Sequence, residues 1–190
     1  MVSYAPHFLS TVVVCSILTI FMSKSNGIIN ILIEKIGLES IDFLGTPEYF
    51  SSIYVWSGVW QNMGWNAIIY ISALAGVDQQ MHEAAIIDGA TKLQRMWYID
   101  LPSIKSTIVM LLIMRMGSIM DVGFEKVFLL QTPLNQNASN IISTYVYNVG
   151  LLDSQYGYST AVSLFNTIIN VILLVTANTI SKKLFDESLV

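Results

Sequence analysis

The amino-acid sequence predicts an all-α, polytopic membrane protein, and three observations carry that prediction. Hydrophobic residues make up 54% of the 190 and charged residues only 12%, with a mean hydropathy of +0.60, whereas soluble domains carry about 25% charge. Four apolar runs approach or reach the length needed to cross hydrocarbon, about 20 helical residues at ~1.5 Å each. No run shows the apolar/polar alternation of a barrel strand. Lipid admits only helices or closed barrels, because every backbone polar group must be satisfied inside the protein.

The chain opens without the basic segment of a secretory signal, and the apolar stretch that follows has no small-residue cleavage site, so it reads as a retained span. That first run covers about 7–22 and follows Pro6, which suits the first turn of a helix. The second covers about 50–75 and is uncharged, though polar at Ser57, Gln61, Asn62 and Asn66. The third is expected to open at Pro102 and to cover 103–120. The fourth covers about 159–180 and is the cleanest of the four. Turns are predicted at Asn26-Gly27 and Gly45-Thr46-Pro47, and the polar stretch 131–140 reads as an outer loop. The sequon at Asn137-Ala138-Ser139 is too short a match to carry weight. The lone Cys15 excludes an internal disulfide and reads as a small buried hydrophobe.

Cation placement sets the orientation. Lys92, Arg95, Lys105, Lys182 and Lys183 fall on one side, against Lys24, Lys35 and Lys126 on the other. The positive-inside rule puts the 76–102 loop and both chain termini in the cytoplasm. No basic run offers a nucleic-acid footprint. No Gly-rich phosphate loop, metal-ligand cluster or nucleophile elbow occurs either, so the expected role is not enzymatic and needs no cofactor.

The 76–102 loop is unlike an ordinary polar connection. Asp78 is a good N-cap for a short helix running through Glu83, Ala84, Ala85, Ile86 and Ile87, and Gly89 ends or bends it. A second helical segment, 91–99, leads to Pro102. Met81, Ala84, Ala85 and Ile87 form an apolar stripe with nothing of its own to bury against, which calls for a partner surface.

Glu83-Ala84-Ala85, then Gly89, then Ile99-Asp100-Leu101-Pro102 resembles the EAA loop of binding-protein-dependent ABC-importer permeases, with every motif position filled at the family spacing. The resemblance extends to 4–12, 58–65, 122–127 and 142–147, which are similar to the carbohydrate-uptake branch and its polysaccharide and complex-saccharide subgroup. It implies a type I ABC importer (MetI-like) permease fold, one transmembrane permease domain over 1–190, with about four transmembrane helices here. It further implies a coupling helix around Glu83 and Ala84 that docks on an ATP-binding subunit dimer, with Gly89, Ile99, Leu101 and Pro102 shaping the loop. A second permease subunit and an extracellular solute-binding lipoprotein complete the implied assembly, in a bacterial plasma membrane, with a sugar or oligosaccharide as solute. Family members carry about two further spans before the segment matching Tyr4, so N-terminal truncation is expected.

Candidate pathway residues follow from the need for hydrogen-bonding groups inside the bilayer. Trp60, Gln61, Asn62 and Asn66 in the second run pair amides with flat aromatic faces, as sugar hydroxyls and C–H surfaces require. The same amides also suit helix–helix contacts. Phe124, Glu125 and Gln131 lie in a segment resembling the family's solute-site stretch, although the Gly pair before proline is absent. Asn166 and Asn170, four apart, share a helix face turned to the bundle interior. Arg115 is expected to snorkel outward, or to pair with Asp121 or Glu125. Two alternatives stay open: an ABC permease for an amino acid or peptide, and an ATPase-independent secondary transporter or channel.

Overall fold

The computed structural model describes residues 2–185, and every regular element among them is helical. A 3₁₀ stretch, Val2–Phe8, precedes α1 (Thr11–Phe21), α2 (Ile28–Lys35) and the long α3 (Pro47–Ala75). A cluster of short elements follows: α4 (Gln79–Ile87), α5 (Lys92–Arg95), a π-helical turn Met96–Asp100 and α6 (Leu101–Ser103). The chain continues through α7 (Lys105–Met116), α8 (Phe124–Leu130), α9 (Gln136–Ser139), α10 (Ile142–Tyr147), a second π-helical turn Asn148–Leu152, and α11 (Tyr156–Phe185).

The second and fourth predicted spans are the 29-residue α3 and the 30-residue α11. The first and third differ from expectation. Ser10, whose hydroxyl accepts from the Val13 amide at 3.3 Å, starts α1 afresh after the 3₁₀ stretch, leaving a helix of 11 residues. The third span does not open at Pro102, because proline is absorbed within the preceding helical segment. A proline removes one backbone donor and crowds the carbonyl four residues earlier, and the π-helical turn just before it widens the helix there. The break comes instead at Ile104, where Lys92–Ser103 and Lys105–Met116 meet at 62°. By length and composition, Tyr156–Lys183 is long and apolar enough to cross a membrane, and the bent pair counts as a second if it is one span. α3 is long enough but more polar, and α1 is apolar but shorter.

The chain divides into two compact units. In the first (1–64 and 121–166), α1 packs on α8, and Cys15, Phe50, Val127 and Leu130 form its buried core. Cys15 is buried, as its apolar setting predicts. Two of the connections are ordered by two buried asparagines. Asn30 donates to the Ser23 and Ile41 carbonyls and accepts from the Ile41 amide at 2.8 Å. Asn135 donates to the Leu44 and Leu130 carbonyls at 2.9 and 3.1 Å and accepts from the Thr132 amide and the Ser139 hydroxyl. The 131–140 stretch is therefore no loose polar loop: it contains a helical turn, and Asn135 and Ser139 are fully buried. Its polar residues satisfy backbone groups that would otherwise be stranded.

The second unit (65–120 and 167–190) holds the end of α3, the short-element cluster, α7 and the rest of α11. In this unit α11 leaves Val171, Ile172 and Val175 exposed.

Candidate functional site

The loop at 76–104 folds as an elbow of two short helical arms. Asp78 caps α4, its carboxylate accepting from the Gln80 amide at 2.9 Å. The arm ends in a Schellman turn: the Gly89 amide bonds the Ile86 carbonyl and the Ala90 amide bonds the Ala85 carbonyl at 2.8 Å, with Gly89 at φ +78°. Thr91 and Gln94 form a capping box that starts the second arm. His82 Nε2 lies 3.1 Å from Asp100 Oδ1 and ties the two arms together. Glu83 accepts from Gln79 one turn away at 2.9 Å.

Apart from Ile104, which is buried, the elbow leaves its large apolar side chains mostly exposed. Ile87 is 86% exposed, Tyr98 80%, Leu93 67% and Trp97 64%. Ala84 and Pro102 are exposed, while Ala85, Ile99 and Leu101 are half-buried. Large exposed apolar side chains on a capped scaffold are available for a partner surface.

The polar groups of α3 separate into two kinds. Ser57 returns its hydroxyl to the Ile53 and Tyr54 carbonyls of its own helix. Gln61 donates to the Leu9 carbonyl at 3.2 Å, and Asn62 bonds both His7 Nδ1 (3.0 Å) and the Gly58 carbonyl, so these two amides fasten α3 to the N-terminal segment. Trp60 is exposed beside them. Asn66, in contrast, accepts from Arg115 Nη2 at 3.2 Å. Arg115 thus bonds a neutral amide, where the sequence suggested snorkelling or a carboxylate partner.

Among the remaining candidates, Phe124 stacks on Phe128 and meets Tyr147 at a tilt, with centroids 5.3 Å apart in each pair, beside a cleft of about 330 Å³ that Ser143 and Ser159 also line. Glu125 is exposed. Gln131 donates to the buried Ser139 hydroxyl at 3.0 Å and so belongs to the Asn135 network. The Asn166 Oδ1 is buried with no hydrogen-bond partner, whereas Asn170 accepts from the Met120 amide at 3.3 Å.

This geometry can be set beside known proteins. The family of binding-protein-dependent transport system inner membrane components matches residues 1–186. The chain belongs to that family. Relatives of this inner-membrane component include Protein LplB of Bacillus subtilis, 45% identical over 186 residues, and the polygalacturonan/rhamnogalacturonan transport system permease protein YteP of the same organism, 43% identical. Each comparison covers 98% of this chain and 58% of the relative. A solved bacterial alginate ABC transporter, in complex with an alginate pentasaccharide-bound periplasmic protein, matches with a TM-score of 0.95 at 36% identity, over 98% of this chain and 65% of that one. A second structure, of a transporter importing the acidic polysaccharide alginate, matches with a TM-score of 0.94 at 37% identity, over 96% of this chain and 64% of that one. The inner-membrane component accordingly spans about three fifths of the length of these curated relatives.

The pairing of Arg115 with Asn66, and of His82 with Asp100, had no signal in the linear sequence. Each joins residues distant along the chain, and only the antiparallel return of the helices brings them together.

Proposed function

We propose that this protein is a membrane-spanning permease subunit of an ATP-driven importer, passing sugars or oligosaccharides delivered by an extracellular binding protein. The observation that carries the reading is the elbow, a capped and exposed apolar handle built on Glu83, Ala84, Ala85 and Gly89. ATP hydrolysis belongs to a separate subunit dimer, which grips this handle on the cytoplasmic side. Residues 1–190 act as one permease domain beside a second permease subunit, with both chain termini cytoplasmic and a solute-binding lipoprotein outside. Sugar as the solute draws on the saccharide transporters among the relatives.

Closure of the ATPase dimer would move the elbow as a lever, because caps, Schellman turn and the His82–Asp100 link leave it few soft dihedrals. Of the candidates for the solute path, Gln61, Asn62 and Gln131 already serve packing contacts, which leaves Trp60, Asn66, Phe124, Glu125 and Asn166 as the proposed ones.

The test is reconstitution in proteoliposomes with the partner subunits. Glu83→Lys should leave the protein inserted and assembled but reduce ATP-driven uptake by at least tenfold, since a reversed charge in a docking contact costs several kcal/mol. Cysteine placed at Ala84 should crosslink to the ATPase. Uptake that proceeds at the wild-type rate with Glu83→Lys, or without any ATPase, defeats the reading.

A further inference from the structure

The two arms of the elbow carry opposite charge. Over 78–88 the chain holds three acids, Asp78, Glu83 and Asp88, and no lysine or arginine. Over 89–99 it holds Lys92 and Arg95 and no acid. The next acid along the chain, Asp100, is already engaged by His82 at 3.1 Å. Among the described residues neither cation pairs with a carboxylate. Lys92 is exposed and Arg95 half-buried.

One partner surface cannot suit both arms. A protein that takes the acidic first arm presents cations to it, and those cations repel Lys92 and Arg95. The second arm therefore needs an occupant of its own, one that is anionic and accepts apolar side chains beside the charge. Leu93, Trp97 and Tyr98 are largely exposed around the two cations. Tryptophan and tyrosine among lysine and arginine is the composition of a membrane–water interface, where rings bury their apolar bodies at headgroup level and keep the indole N–H or phenol O–H wet. Cationic side chains there lay their stems along the apolar layer and reach the phosphates with their heads. Direction agrees with composition. Lys92–Ser103 leaves α7 at 62°, so where α7 stands upright across a bilayer the arm runs nearer to the membrane plane than to its normal.

We propose that the second arm lies on the cytoplasmic leaflet and binds anionic lipid headgroups through Lys92, Arg95, Trp97 and Tyr98, which leaves the first arm to the ATPase. This goes beyond the permease reading and rests on it for the elbow's cytoplasmic side. The lipid surface then supplies the bearing against which the handle turns.

The experiment reads the position of each arm in the assembled importer, held in nanodiscs whose lipids carry a nitroxide at the headgroup. A fluorophore is attached at Met96→Cys in the second arm and, as reference, at Ile87→Cys in the first, with other reactive cysteines replaced. Both side chains are exposed, so neither change removes packing. In phosphatidylcholine and phosphatidylglycerol in equal parts, the label at position 96 should be quenched several-fold more than the label at position 87. Each cation near an anionic surface shifts its occupancy about fivefold. Lys92→Gln with Arg95→Gln should therefore lower the quenching in this mixture to the level in phosphatidylcholine alone. Lys92→Gln by itself, at an exposed site, should give part of that fall. A label at position 96 that lipid never reaches and the ATPase shields instead overturns the proposal and leaves the handle reading intact. Quenching that ignores both the lipid charge and the two cations overturns it as well. Equal quenching at the two positions puts the whole elbow on lipid, which sinks the handle reading and the division between the arms together.

Discussion

Gly89→Ala tests the lever in isolation from packing. Gly89 sits at φ +78° with no atom within 4 Å of the position a Cβ would take, so the penalty is purely one of backbone conformation. A left-handed residue with a Cβ costs about 1–2 kcal/mol, which is roughly a 5–30-fold shift between turned and unturned elbow. The structure supplies its own control. Gly37, at φ +85° with the same open surroundings, closes α2 by the same turn, its amide bonding the Glu34 carbonyl and the Leu38 amide bonding the Ile33 carbonyl. Gly37→Ala should therefore lower thermal stability in detergent about as much as Gly89→Ala. Only Gly89→Ala should reduce the solute transported per ATP hydrolysed in proteoliposomes. Gly89→Asn should recover most of it, since Asn tolerates this region. If the two alanine variants give the same transport-to-hydrolysis ratio, the angle of the elbow is irrelevant and the lever argument fails.

Other outcomes follow from close packing and buried polar groups. Gly64→Ala would drive a Cβ into the Ser3 backbone, so the 3₁₀ segment must shift, and a destabilisation at or above the usual 1–3 kcal/mol of overpacking should appear in a detergent melt. Gly117→Ala meets only the flexible end of Leu174 and should be much milder in the same melt. Asn135→Ala strands the Leu130 carbonyl and the Thr132 amide and leaves the Leu44 carbonyl only the Thr132 hydroxyl, at about 1–3 kcal/mol for each buried group left unpaired, and proteolysis should open the 131–140 segment. Lys126, in α8 between the candidate spans, donates to the Tyr54 carbonyl at 3.2 Å, and burial pushes its pKa below the ordinary lysine value. The unfolded chain then holds more protons there, so stability rises with pH just below that value and flattens above it; Lys126→Met should remove this part of the slope.

Much of the elbow was legible because its signals are local. Asp78 as cap and Gly89 as turn each depend on a neighbour within a few residues, and the sequence states both. The long uncharged runs likewise announced α3 and α11. Legibility failed where tertiary context overrode a local rule. Pro102 ordinarily opens a helix, yet here a π-helical turn accommodates it and the bend moves to Ile104. The 131–140 stretch looked solvated by composition, but Asn135 buries itself by serving carbonyls 5 and 91 residues away. Gln61 and Asn62 suited either a solute or a helix contact by sequence, and their bonds to Leu9 and His7 depend on where the N-terminal segment returns.

The length of α3 carries a mechanical corollary. Its 29 residues extend about 43 Å, some 13 Å more than a hydrocarbon core. A surplus of that size must be absorbed by leaning or by standing proud of the membrane. In the proposed permease the elbow hangs from Ala75 at one end of this rod, so its height beneath the lipid headgroups depends on how far the rod leans. Lipids with longer acyl chains would draw the handle toward the headgroups, which makes membrane composition itself a dial on the machine.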